Sequence, residues 1–149
     1  MAASRIPSIL RRAVTALRGR SRMRQVLMIL GDLEIGSARA LCMRLGDDSV
    51  VLYRATTQRG ALLSYELFAL GAIGHFAVHV LFGAEPAPGR PDPLLAADRL
   101  AELVPDIRER EIFLCGPIAS TDAVLDGLRT LAVPAAQVHL TEPIGSVTR

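Results

Sequence analysis

Short, uniformly apolar runs alternate along the chain with longer stretches in which apolar residues recur every three or four positions. Val26 to Leu30 is an unbroken apolar run between Arg24 and Gly31, the pattern of a strand buried on both faces. From Ile35 the spacing becomes helical through Ala38, Leu41, Cys42 and Leu45, and Gly46 supplies a stop. After an Asp47-Asp48 turn, Ser49 to Arg54 reads as a second strand, followed by a polar loop over 56–60. Leu62, Leu63, Leu67 and Leu70 predict a helix over 61–71 closed by Gly71, and Phe76 to Phe82 a third strand. The proline-rich stretch 84–93 is a loop. A helix beginning at Asp92 or Pro93 carries Leu94, Leu95, Ala97, Leu100, Leu103 and Val104, and ends at Pro105. Ile112 to Cys115 is a fourth strand, stopped by Gly116-Pro117 because proline has no N–H for a ladder. Ala119, Ala123, Val124, Leu128 and Leu131 share the next helical face, with Thr121 and Asp122 in or near its first turn, where an oxygen or a carboxylate is favoured. Gln137 to Leu140 is a last strand before an irregular tail.

Strands alternating with helices require right-handed crossovers and hence a parallel sheet covered on both faces. The predicted fold is α/β, a five-stranded doubly wound parallel sheet of order 3-2-1-4-5. In that order the first and fourth strands are neighbours, so the loops 31–37 and 115–120 face each other across the crevice where open α/β sheets bind ligands. Residues 61–84 have the length and hydropathy of a membrane span. Glu66, His75 and His79 lie inside that window and Gly71 and Gly74 interrupt it. Charges are costly at bilayer depth, which favours helix plus strand. His75 and His79 are expected to share a face of the third strand as structural residues rather than metal ligands.

Charge divides the chain. All 17 basic residues are arginine, against 15 acids. Residues 1–24 hold seven arginines and no acid, leaving ten arginines against fifteen acids beyond them, a net of −5. The expected organisation is a basic amphipathic leader over 1–24, an α/β domain over 25–142 and an irregular tail over 143–149. An acidic body argues against nucleic-acid binding. In the leader, Ile6, Ile9, Leu10, Ala13 and Leu17 form an apolar stripe, so residues 5–18 are a candidate contact with an anionic membrane surface or a partner. No secretory signal is read there, because arginines interrupt the apolar stretch. Cys42 and Cys115 have no metal or redox spacing and read as reduced thiols. The expected location is the cytoplasm, with membrane association through 5–18.

Several ordered pieces resemble one family. They are Leu114-Cys115-Gly116-Pro117 followed by Thr121-Asp122-Ala123-Val124; Val51-Leu52-Tyr53-Arg54-Ala55; Asp92-Pro93-Leu94 with Leu103-Val104-Pro105-Asp106-Ile107; and Val133-Pro134 leading to Val138-His139. Over about residues 24–142 the chain resembles the NAD(P)H-binding half of the ferredoxin–NADP reductase superfamily, in particular actinobacterial flavin reductases and ferric-reductase-like proteins. The resemblance implies an NAD(P)H-dependent oxidoreductase component. Its Rossmann-like half holds the nucleotide while a barrel domain holds FAD or FMN. The loop after the first strand, here with Gly31, Gly36 and Ser37, takes the pyrophosphate at a helix N-terminus. Arg54 falls near the adenosine end. Gly116 and Pro117 shape the nicotinamide site, and Cys115 is the residue beside the ring, where hydride passes to flavin. The cofactors carry the redox chemistry and the protein aligns them.

Three departures accompany the resemblance. The 24 leading residues are too few for a flavin barrel, so the flavin is expected on a separate protein, a flavoprotein or a membrane-bound reductase. The family's loop, approximately Gly-Gly-Ile-Gly-Ile-Thr-Pro, reads Gly31-Asp32-Leu33-Glu34-Ile35-Gly36-Ser37. His139 and Glu142 match the family's end, but Pro143 and Ile144 follow in place of an aromatic residue. The alternative reading is a non-catalytic interaction module or truncated remnant that has lost nucleotide binding. A third role, Cys115 as a nucleophile or redox thiol near a helix N-terminus, finds no histidine assignable as its base.

Overall fold

The computed structural model describes residues 25–31, 39–40, 42–87, 90–115 and 121–140. The leader 1–24, the tail 141–149, and the loop positions Gly36, Ser37, Gly116 and Pro117 lie outside the described residues. Five strands, β1 (Val26–Leu30), β2 (Val50–Ala55), β3 (Ala77–Phe82), β4 (Glu111–Cys115) and β5 (Val138–Leu140), form one sheet. All neighbours are parallel and the order is β3-β2-β1-β4-β5, as the alternation of patterns predicts.

Side-chain alternation divides the core in two. Val26, Met28, Leu30, Val51, Tyr53, Phe113 and Cys115 point to one face, where Cys42, Leu45 and helix α1 (Gln58–Gly74) cover them. Leu27, Ile29, Leu52, Ile112 and Leu114 point to the other, under α2 (Ala97–Leu103) and α3 (Thr121–Thr130). β1 and β4 are buried along their whole length, which is why neither shows a polar alternation. His139 secures the short edge strand β5: its Nε2 lies 2.6 Å from Glu111 Oε1 and its ring stacks on Phe113.

Four boundaries differ from the sequence expectation, each for a tertiary reason. Helix α1 runs through Gly71 to Gly74. Thr57 Oγ1 caps its start by accepting from the Gly60 N–H, and His75, in the left-handed region at φ 63°, ends it. Gly71 is therefore a spacing residue and not a stop. A Cβ there would sit 2.7 Å from the Phe76 carbonyl oxygen and 3.0 Å from Val78 Cγ2. Gly71→Ala is expected to destabilise the domain in urea unfolding. The overpacking cost of about 1–3 kcal/mol exceeds the gain of at most about 1 kcal/mol in helix propensity; a variant more stable than the parent would show that the helix moves freely off β3. His75 and His79 do not share a strand face, because the strand starts only at Ala77. The helix expected from Asp92 to Pro105 is broken. Pro93–Leu95 is a 3-10 turn, Ala96 is extended, and α2 begins at Ala97. A single extended residue leaves the apolar periodicity almost untouched. Finally, Gln137 belongs to a 3-10 turn before β5, its amide Nε2 donating to the Arg108 and Arg110 carbonyls.

Candidate functional site

The strands' C-terminal ends define the site. β1 and β4 are adjacent, with Leu30 opposite Cys115, and the ladder extends one step further, the Gly31 N–H donating to the Cys115 carbonyl at 2.9 Å. The two loops expected to face each other thus leave the sheet from hydrogen-bonded positions. Leu30, Gly31 and Cys115 are buried at this edge. Of the three, Gly31 carries no side chain and lets a ligand approach the backbone, while Leu30 and Cys115 pack into the core beneath it.

The Cys115 side chain points into the α1-side core with Cys42, and neither cysteine is in a disulfide. Burial first, and the neighbouring Cys115 second, push the Cys42 thiol up to about 12 from its ordinary 9.0. Cys42 is therefore a core residue and no nucleophile at neutral pH. Its neutral form is retained on folding, so its favourable contribution is intact below pH 9 and is lost as pH rises from there towards 12. At pH 8 the thiolate population is lower in the folded than in the unfolded chain by about three orders of magnitude. Alkylation by iodoacetamide, followed by mass spectrometry, is expected to label Cys42 rapidly only in denaturant; equal labelling of the native protein would contradict its burial.

Arg54 lies on the same sheet edge, at the end of β2, but it is buried. Its Nε donates to Asp92 Oδ2 at 2.6 Å and its Nη2 to Asp92 Oδ1 at 3.3 Å. Nη1 donates to the carbonyls of Ala55, Leu81 and Gly83, and Nη2 also to that of Ala84. Asp92 in turn accepts from the Leu94 N–H, capping the 3-10 turn. Arg54 is thus a clamp that fixes the loop following β3 against β2, and every guanidinium nitrogen is engaged by protein. Contact with a ligand would require some of these bonds to be given up. The sequence reading missed Asp92 as its partner. The available signal was an Asp-Pro pair at a helix start combined with an arginine at a strand end that buries both faces. Beside the clamp lies an open depression of about 560 Å³ lined by Ala87, Arg90, Pro91, Asp92, Pro93 and Ala96; neither Gly31 nor Cys115 borders it.

Among the described residues no group of three or more histidine, cysteine or acidic side chains is placed to hold a metal ion, and no helix is long and apolar enough to cross a membrane.

No protein-family model matches the chain. It is 34% identical over 95 residues to the ferredoxin reductase component of 3-ketosteroid-9-alpha-monooxygenase from Mycobacterium tuberculosis, a match covering 64% of this chain and 25% of that protein. It is 30% identical over 94 residues to the corresponding component from Rhodococcus rhodochrous, covering 63% of this chain and 26% of the relative. The match thus spans about a quarter of the length of these curated relatives. The fold recurs in three solved structures. One is the flavohem-like FAD/NAD-binding domain of nitric oxide dioxygenase from Vibrio cholerae, with a TM-score of 0.55, 20% identity, and 80% of this chain and 51% of that one covered. Another is the ferredoxin reductase of carbazole 1,9a-dioxygenase, at 0.53 and 22%, covering 81% and 36%. The third is the cytochrome P450 reductase GcoB of Amycolatopsis, at 0.57 and 18%, covering 80% and 37%. In sequence the chain is similar to ferredoxin reductase components, and in fold to the reductase domains of these enzymes.

Proposed function

We propose that this chain is the pyridine-nucleotide-binding component of an electron-transfer system, taking NAD(P)H across the C-terminal ends of β1 and β4. The observation that carries this reading is the Gly31–Cys115 hydrogen bond, which joins the two strand ends at the point where the strand order reverses. Gly31 fits a backbone that must pass close to a phosphate. Residues 31–37 would hold the pyrophosphate, Gly116 and Pro117 the nicotinamide, and Cys115 would border the ring. Arg54 would act at the adenosine end through the loop it clamps. The bound nucleotide supplies a hydride to FAD or FMN on a partner protein. The similarity to reductase components of multi-component oxygenases supports such a partner.

Asp32 and Glu34 favour a second reading, an interaction module with little or no nucleotide affinity, since carboxylates beside a pyrophosphate are repulsive. Calorimetric titration of the purified protein with NADPH and with NADH separates the two. Saturable binding, followed by reduction of an added flavoprotein only when this chain is present, supports the electron-transfer role. Absence of binding up to millimolar nucleotide would establish the module, and residues 5–18 would then be its expected contact with a membrane or partner.

A further inference from the structure

The stretch that mimics a membrane span resolves into α1 and β3, but the apolarity of its outer surface serves no purpose within the described fold. Helix α1 buries Leu63, Leu67 and Gly71 against the sheet. Its opposite side exposes Leu62, Tyr65, Phe68, Ala69, Ala72 and Ile73, with Tyr65 at 74% and Ile73 at 77%. A helix that is apolar all round is ordinarily covered on all sides. Below it, β3 is the sheet's edge. The Ala77 and Gly83 N–H groups donate to the Ser49 and Ala55 carbonyls of β2, and in a parallel ladder the intervening residues alternate. Val78, Val80 and Phe82 therefore turn their N–H and C=O groups away from the sheet. The strand itself carries no edge protection of its own, since β3 (Ala-Val-His-Val-Leu-Phe) has no proline, lysine or inward charge.

We propose that a second copy of this chain covers the β3 edge and the flank of α1 beside it (Tyr65, Phe68 and Ala72), the two β3 strands pairing antiparallel about a two-fold axis through Val80, with the α1 helices side by side. Three features select a second copy as the occupant. The outward groups number three, symmetric about Val80, so one register (Val80 opposite Val80, Val78 opposite Phe82) satisfies all six by exchange of paired bonds. The surface is nearly free of net charge, so self-association brings no like charges together. Glu66 hydrogen-bonds Arg39, which holds its carboxyl below the usual range, and Arg59 lies at the helix start. The antiparallel arrangement also sets the two helix dipoles in opposition. The area is adequate as well. Tyr65, Phe68 and Phe82 are each at least half exposed. With aromatic side chains of about 150–250 Å² each, the patch reaches several hundred Å², and the paired edge brings it towards the roughly 800 Å² per partner of a stable interface.

Sedimentation equilibrium of the full chain and of the double variant Tyr65→Glu/Phe68→Glu tests this, with hydrogen exchange reporting the register. Both positions are exposed, so the variant should keep the parent's circular dichroism spectrum. The expected result is a dimer whose dissociation constant rises by about 100-fold or more in the variant. In the dimer, the amides of Val78, Val80 and Phe82 should exchange slowly. In the variant they should become fast, while Ala77, His79 and Leu81 stay protected. A parent chain that is monomeric at 100 µM overturns the proposal and leaves the surface to residues 1–24, a different protein or a lipid surface. A dimer that persists unchanged in the variant overturns it equally, by placing the interface elsewhere.

Discussion

Arg54→Met is expected to cost about 3–5 kcal/mol of stability, the range for removing one partner of a buried ion pair. The guanidinium and the Asp92 carboxylate are both at least 95% buried, so solvent does not screen them appreciably. Without Arg54, the carboxylate is left in a low-dielectric site with only the Leu94 N–H, and the Leu81 carbonyl loses a donor. Against a typical total of 5–15 kcal/mol for a domain, such a loss leaves the fold marginal. Urea unfolding followed by circular dichroism measures it. A cost below about 1 kcal/mol would show that the loop relaxes and hydrates the carboxylate. Asp92→Leu alone should be comparably damaging, because it strands the cation. Combined with Arg54→Met it should cost well below the sum, since two apolar side chains leave no unpaired charge. The nucleotide affinity of Arg54→Met, measured where the protein remains folded, reports separately on the loop that the clamp holds.

Asp32→Gly/Glu34→Gly is expected to tighten NADPH binding by up to about 700-fold. A carboxylate about 4 Å from a phosphate oxygen costs roughly 4 kcal/mol at an effective dielectric near 20. Any attraction of the phosphate to the helix N-terminus is common to both proteins and cancels, so removing the repulsion converts to about 700-fold at 1.4 kcal/mol per factor of ten. Glycine also lets the backbone approach the pyrophosphate closely. The measurement is the ratio of calorimetric dissociation constants, with NADH as a second ligand. An unchanged constant would mean that the acids point away from the phosphates, and the loop would cease to be the reason for weak binding. Appearance of binding only in the variant would identify the natural chain as a module that has lost its ligand.

Much of the architecture was legible in the chain because it depends on local pattern. Val26–Leu30 and Ile112–Cys115 have no polar alternation, which demands strands covered on both faces. Helical spacing between strands then demands parallel crossovers, and the 3-2-1-4-5 order puts Gly31 next to Cys115. The placement of the candidate crevice was therefore available from hydrophobic periodicity, and the similarity to ferredoxin reductase components from a few ordered motifs. What only the tertiary structure decided concerns groups whose meaning lies in a distant neighbour. Arg54 looks like a free cation at a strand end until Asp92, 38 residues away, closes on it. Gly71 looks like a helix stop until the Phe76 carbonyl is seen to occupy the space a Cβ would need. Ala96 breaks a helix without disturbing its apolar spacing. Residues 61–84 are apolar enough to resemble a membrane span, yet among the described residues they resolve into α1 and β3, with α1 covered on one side only. The physical reason is common to all four. Periodicity records how strongly each side of an element avoids water, while which charge, carbonyl or face meets it is set by long-range closure of the sheet.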